Sequence, residues 1–488
     1  MVSRMASLLA AGLLAGCAVG PDYHAPETPT PPAFQEAAPG PPAASPELSA
    51  WWSQFHDPTL DGLVSRSLTG NLDIAAAGSR IRQARREEVI AGAAALPQLE
   101  AAGGANNTNL SRSAGFTQLT SAFEGGLGGV SAGGLGGLGF PGTDFSTYSL
   151  GFDASWQLDL FGQTRRSVEA ARARTAAQVW SLRDTQVSVA AEVAADYFAL
   201  RSLQQQLAVA RKEAGRQQQL LTLVQSRERA GFATRQDVSQ QRTALTAALA
   251  SAPGLEADVR GQIHALGVLT GQPPEALSAA LTPAAATPSP PPQAPAALPS
   301  ELLRRRPDIR AAERNLAAAT ADIGVAVGDL YPQINLTGSA DFVSTALKTL
   351  IAADSWQTLA TATVTQTLFN GGKAQANIKA AKEARQQAYI AYQKTVLQAL
   401  REVEDALARY GAEQRRNTEL RAEADAAEEA YEAADARYRS GLSDFINVLN
   451  AEGALLTAES QLAQSDGQLD QDLVALYKAL GGGWTGAG

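Results

Sequence analysis

"YSLGFDASWQLDL", Tyr148 to Leu160, alternates along its whole length. Tyr148, Leu150, Phe152, Ala154, Trp156, Leu158 and Leu160 are apolar, and the residues between them are small or polar. A period of two sorts these side chains onto the two faces of an extended strand. Thirteen residues rise about 43 Å, or about 33 Å of height at a tilt near 40°. The apolar band of an outer-membrane barrel is only about 25 Å tall, and strands of soluble sheets usually have about five or six residues. The stretch is therefore expected to cross a membrane, with Tyr148, Leu150, Phe152, Trp156, Leu158 and Leu160 towards lipid and Asp153, Gln157 and Asp159 towards a lumen.

Three further stretches alternate in the same way. The expected strands lie near 97–113, 147–161, 332–343 and 356–369, the first being the poorest in alternation. Four strands cannot close a barrel, and an open edge in lipid leaves backbone groups unpaired. The chain is therefore expected to assemble with copies of itself. Two copies would supply eight strands around a filled interior and three would supply twelve around a lumen.

Most of the remaining chain reads as helix. From Lys373 to Arg439 there is no proline and one interior glycine, Gly411, so this run alone could rise about 100 Å. Its small apolar residues and polar faces, as in "AEADAAEEAYEAADARY", suit helix-on-helix packing in a coiled coil.

The chain also repeats itself. Asn71-Leu72-Asp73-Ile74 and Leu96-Pro97-Gln98-Leu99 recur 235 positions later as Arg306-Pro307-Asp308-Ile309 and Tyr331-Pro332-Gln333-Ile334. "RAGFATRQDV" (Arg229 to Val238) recurs 210 positions later as "RSGLSDFINV" (Arg439 to Val448). The difference of 25 is placed in the glycine-rich Gly103–Gly142 region. The expected organisation is a signal peptide at 1–16, a proline-rich tether at 17–50, a first repeat at 51–275, a linker at 276–300, a second repeat at 301–480 and a tail at 481–488. Each repeat holds a helix, two strands and a long helical hairpin, with tips near Gly231 and Gly441.

The first residues, "MVSRMASLLAAGLLAGC", join one positive charge to a short apolar stretch and small residues before a cysteine. That is a secretory signal, too short for a bilayer-spanning helix. Leu14-Ala15-Gly16-Cys17 has the form of a bacterial lipobox, with Cys17 the acylated new N-terminus. Cys17 is the sole cysteine, so no disulfide can form within the chain.

Other chemistries lack their residues. The net charge of −9 gives nucleic acid no general attraction. "GLGGLG" (Gly134 to Gly139) precedes a strand and opens no helix, so it is no nucleotide site. His24, His56 and His264 are scattered, without metal-ligand spacing. No nucleophile, base and orienter form a motif, so neither an enzyme nor any cofactor beyond the lipid on Cys17 is expected. A lipid-anchored structural coiled coil would explain the helices but leave the four strands without a purpose.

Several landmarks occur together and in order: the lipobox followed by "GPDY", "RRRPDI", "YPQI", "LFNGG" and the two R-x-G-x-x-x-x-x-V breaks. In these the chain resembles the TolC/OprM family of outer membrane factors, in its lipoprotein, NodT-like branch. The resemblance implies a mixed α and β membrane protein: a homotrimer with a twelve-stranded transmembrane β-barrel, four strands per chain, continued by a long periplasmic α-helical barrel. It implies an exit channel in the outer membrane that works with a periplasmic adaptor protein and an inner-membrane pump of the resistance-nodulation-division type. Type I protein secretion is the runner-up. By the same resemblance the breaks at Gly231 and Gly441 are periplasmic tips where the tunnel closes. Asn447 and Asn450 then fall on the lumen stripe of the constriction, where the family has aspartate, and Asp444, three residues before Asn447, shares that helical stripe. Tyr438 and Asp237 fall at positions that hold neighbouring helices in the closed state.

Overall fold

The computed structural model describes residues 18–36, 48–109, 144–285, 288 and 299–484. Cys17 with its lipobox, the GLGGLG loop and part of the 276–300 linker lie outside them. The chain divides into two compact units. One comprises residues 1–23, 86–172 and 318–385, and the other 24–85, 173–317 and 386–488.

The first unit is built on one antiparallel sheet of strands β1 (Gln98–Asn109), β2 (Asp144–Leu158), β3 (Gln333–Ser344) and β4 (Trp356–Thr365), in the order β1-β2-β3-β4. Register explains how β1, poor in alternation, acquires its faces. Ala101 lies opposite Phe152, which lies opposite Ala340, while Trp156, Leu336 and Ala362 form one row and Leu158, Ile334 and Val364 another. Directly opposed residues of an antiparallel pair share a face, so one face of the whole sheet is apolar. Leu150, Phe152 and Trp156 stand 46 %, 55 % and 38 % exposed on it. Aromatic residues collect at its two ends. At one end Phe342 meets Trp356 edge-on at 5.0 Å and Tyr148 lies nearby in register; at the other, Phe161 stacks on Tyr331 at 4.8 Å.

β2 ends at Leu158, short of the expected Phe161, because the next residues have another task. The Asp159 carboxylate accepts the Arg165 amide at 2.9 Å, and Gly162 takes φ 81° to begin a helix. Asp159 and Leu160 are thus a turn and not the last lumen and lipid residues of the strand. β4 likewise stops at Thr365, before the exposed Leu368 and Phe369 and the left-handed Gly371 and Gly372.

The helices are α1 (Pro58–Gly70), α2 (Leu72–Ala93), α3 (Gln163–Arg229), α4 (Arg235–Leu269), α5 (Pro307–Gly328), α6 (Lys373–Arg439) and α7 (Phe445–Ala479), with short turns between some of them. None of the described helices is long and apolar enough to cross a membrane. α3 and α6 have 67 residues each, α4 and α7 have 35 each, and both pairs begin and end 210 positions apart.

In the second unit the largest buried cluster joins an aromatic group. Trp51 stacks on Tyr477 at 4.8 Å, Phe55 packs on Phe198, and the Tyr197 hydroxyl donates to Asp57, which also caps α1. Arg306 explains why "RPDI" is spelled as it is. Its buried guanidinium donates to Asp308 at 2.7 Å and to the Ala479 carbonyl at 2.9 Å, and pairs with Glu402 at 2.8 Å. Asn71 does the corresponding work in the other half, donating to the Leu269 carbonyl at 3.0 Å and accepting the Asp73 amide at 2.8 Å. Residues 24–36 are extended, and part of the stretch lies on α6. The Gln35 and Glu36 amides donate to the Glu404 carboxylate at 2.9 and 3.1 Å.

Candidate channel wall and gate

The polar face of the sheet is the first functional surface. Register places Glu100 opposite Asp153, and Asp341 opposite Gly151, on the face that also carries Ser149, Ser155, Gln157, Thr337, Ser339, Thr361 and Thr363. None of the four strands contains a lysine or arginine. A wall of hydroxyls and carboxylates suits water and favours cations over anions.

The hairpin tips are the second. Each long helix ends in the same C-cap, because glycine alone takes the left-handed backbone without strain. Gly231 sits at φ 79° with the Phe232 amide returned to the Arg227 carbonyl at 2.8 Å, and Gly441 at φ 76° with the Leu442 amide on the Arg437 carbonyl at 2.9 Å. The helices that follow start differently. Thr234 and Asp237 form a reciprocal capping box on α4, the Thr234 amide and hydroxyl donating to the Asp237 carboxylate at 2.8 and 2.9 Å. Asp444 is the N-cap of α7 but makes no side-chain cap bond, and Asn447 donates to Ser443 at 3.0 Å.

Asp444, Asn447 and Asn450 are all exposed, spaced by three along the start of α7, while Phe445 and Val448 beside them are buried. Asp237 spends its carboxylate on its own helix. Tyr438 is 4 % exposed, packed at 5.3 Å against Phe445 in a cluster with Val224, Val238 and Val448. Asp237 and Tyr438 do not hydrogen-bond to each other; the Asp237 carboxylate is held by Thr234. Because Asp237 serves a capping box, Asp237→Ala is expected to cost about 1 kcal/mol. Thr234→Ala should cost about as much and the double variant scarcely more, since all three remove one device; thermal unfolding of the purified protein measures it.

Two residues that motif reading passed over complete the tip. Arg227, near the end of α3, lays its guanidinium 4.3 Å from the Tyr438 ring and donates to the Arg439 carbonyl at 2.9 Å, tying one hairpin to the other. Further up α7, Glu452 is 1 % exposed and neither carboxyl oxygen meets a hydrogen-bond partner. The Gln217 amide donates to Glu213 at 2.6 Å and only partly offsets the burial of Glu452. Burial first, and then the charge of Glu213, push the Glu452 carboxyl up to about 8. Among the described residues no group of three or more His, Cys, Asp or Glu side chains is arranged to hold a metal ion.

A four-stranded sheet with one apolar and one polar face, joined in the same chain to paired hairpins of 67- and 35-residue helices, defines a membrane channel component. The comparisons with known proteins agree. The outer membrane efflux protein family matches residues 63–272 and 298–482, so the chain belongs to that family. It is 31 % identical to nodulation protein T of Rhizobium leguminosarum bv. viciae, over 99 % of this chain and 94 % of that protein. It is also 31 % identical to the pyoverdine export outer membrane protein OpmQ of Pseudomonas aeruginosa, over 90 % of this chain and 88 % of that one. Among solved structures, the outer-membrane channel OprN is similar at a TM-score of 0.83 with 34 % identity, covering 96 % of this chain and all of that one. The chain is thus a TolC/OprM-type outer membrane efflux channel protein, and its work is transport.

Proposed function

We propose that three copies of this chain assemble into the exit duct of a tripartite efflux system, with twelve strands closing one barrel in the outer membrane and the long hairpins forming a helical tunnel in the periplasm. The observation that carries the assembly is the sheet: among the described residues β1 and β4 are unpaired edges, on a sheet with one largely apolar face. Such edges are tolerable in lipid only when neighbouring copies pair them. The internal repeat supports two hairpins per chain, since the helix pairs match in length and the bonds Asn71 to Leu269 and Arg306 to Ala479 recur at the same offsets as the sequence. The duct requires no cofactor. It receives substrate from an inner-membrane pump of the resistance-nodulation-division type through a periplasmic adaptor. The pyoverdine export relative favours small molecules over protein as cargo. Acylation of Cys17 anchors each chain to the membrane.

Asp444, Asn447 and Asn450 from three chains line the constriction at the second tip, and Tyr438 and Asp237 belong to the latch that holds it shut. The capping contrast supports this division: the first tip uses its acid to hold a helix, whereas Asp444 leaves its carboxylate on the exposed side. In a planar bilayer the purified oligomer is expected to conduct with a preference for cations, and Asp444→Ala with Asn447→Ala to change single-channel conductance. An unchanged conductance would remove these residues from the constriction.

A further inference from the structure

The described chain begins at Ala18, the residue after Cys17, and the next four residues lie in a fitted groove of the first unit. The Val19 amide donates to the Phe161 carbonyl at 3.1 Å, at the corner where β2 hands over to α3. Arg166, 4 % exposed in the first turn of α3, returns three bonds: Nε to the Val19 carbonyl at 3.0 Å, Nη2 to the Gly20 carbonyl at 3.4 Å, and Nη2 to Asp22 at 2.7 Å. Its Nη1 pairs with Glu169 at 2.7 Å, which fixes the fork. The other wall is α5. A Cβ on Gly324 would sit 2.8 Å from the Val19 carbonyl oxygen and 2.7 Å from Arg166 Cγ, and one on Gly20 (φ 92°) would meet the Gly324 backbone at 2.4 Å. Gln163 closes the end, donating to Asp329 at 2.7 Å.

We propose that this groove is the seat of the acylated N-terminus, with Arg166 and Gly324 as its positioning residues. The proposal rests on Cys17 being the lipidated residue. A lipid attached there has no slack: one residue separates it from a chain held by Arg166, so the acyl chains are delivered at the β2–α3 corner and pin that corner at the membrane surface. An N-terminal lipid would otherwise hold only the end of a mobile tether. The seat also occurs once per chain, as one N-terminus requires. At the offsets that relate the two halves, Arg166 corresponds to Ala376 and Gly324 to Val89, so the repeat-related position has neither the fork nor the gap. These two residues are therefore present for the N-terminal segment and not for the repeat. The Gly20-Pro21-Asp22 spelling follows from the same fit, with glycine for the approach to α5 and aspartate for the guanidinium.

The test uses full-length protein purified from membranes with a spin label at Pro21→Cys, the only free thiol once Cys17 is acylated. The label is expected to be immobilised in this background and to stay so when Cys17→Ser is exported on a signal peptide cut before residue 17. Arg166→Ala should lose the immobilised signal while the mass of its N-terminal peptide still shows the acyl groups. Asp22→Asn, which removes the charge of one exposed partner, should lose part of it, and Gly324→Val, which fills the groove, should act like Arg166→Ala. A label that stays immobile in both Arg166→Ala and Gly324→Val, or that is freed by Cys17→Ser alone, overturns the seat. An N-terminal peptide without acyl groups would instead remove the lipid from Cys17, and the label in the Cys17→Ser background, where Pro21→Cys is the sole thiol, would decide the seat by itself.

Discussion

Glu452→Gln is expected to make the protein more heat-stable at alkaline pH and to leave it nearly unchanged at pH 4.5. The charges around Glu452 show why. On α3, Arg216 pairs with Glu213 at 2.9 Å and with Glu459 of α7 at 2.8 Å, and Lys212 pairs with Glu459 at 2.7 Å. Two cations thus face two carboxylates, and an ionised Glu452 would add a negative charge with no counterpart. From α6, Asp435 is already paired with Arg439 at 2.7 Å, and Tyr431 offers no charge. The folded protein therefore holds Glu452 neutral to about pH 8, against an ordinary value of 4.5. An acid raised on folding binds protons more tightly in the native state, so its contribution is complete below pH 4.5 and is lost as pH rises towards 8. The loss is on the order of 3 to 5 kcal/mol for a fully buried group. Glutamine keeps the shape and has no proton to lose. Asp470, also pushed up to about 8 by burial and by Asp466, keeps part of the alkaline decline in both proteins. Melting temperatures at pH 5 and pH 9 should therefore show the variant gaining over the wild type only at pH 9. An equal difference at both pH values would mean that Glu452 is ionised in the fold.

The contrast between Glu452 and the strands shows which features a sequence displays. β2 and β3 were legible because a period of two is a local signal, and the glycine breaks because Gly231 and Gly441 stand where no other residue sits comfortably. β1 was weak as a pattern, since Ala101, Ala102, Gly103 and Gly104 hardly alternate; its faces come from pairing with β2, which is not local. Strand ends are not legible where Asp159 and Gln366 leave the sheet to make other bonds, the second of them to the Leu330 carbonyl at 3.4 Å. Arg227 and Glu452 could not be singled out in helices rich in arginine and glutamate. What distinguishes them is a ring from α6 and a buried wall from α3, each supplied by residues hundreds of positions away. The exposed stripe at Asp444 was visible through spacing, but the missing cap bond that leaves its carboxylate outward was not.

Arg227→Ala is expected to raise the resting conductance of the assembled channel by more than an order of magnitude. Two interactions are lost at one tip: the stacking of the guanidinium 4.3 Å from the Tyr438 ring and the bond to the Arg439 carbonyl at 2.9 Å. A cation over a tyrosine face at a partly exposed site contributes about 0.5–1 kcal/mol, and a hydrogen bond from a charged donor about 1.5–3 kcal/mol. Their sum, discounted for solvent, is about 2 kcal/mol per chain. If the closed state alone holds these contacts, that shifts the closed-to-open ratio roughly 30-fold for each protomer that moves independently. Arg227→Lys keeps the charge but loses the flat fork, so an intermediate rise is expected. Tyr438 then separates two designs of latch. Its ring is buried against Phe445 and under Arg227, so Tyr438→Ala should leak at least as much as Arg227→Ala, while Tyr438→Phe, which keeps the ring, should stay close to wild type. Leakage in Tyr438→Phe equal to that in Tyr438→Ala would move the latch from the ring to the hydroxyl. Single-channel recording and uptake of a large antibiotic by cells carrying each variant read the same order, because both follow the fraction of tips that are open.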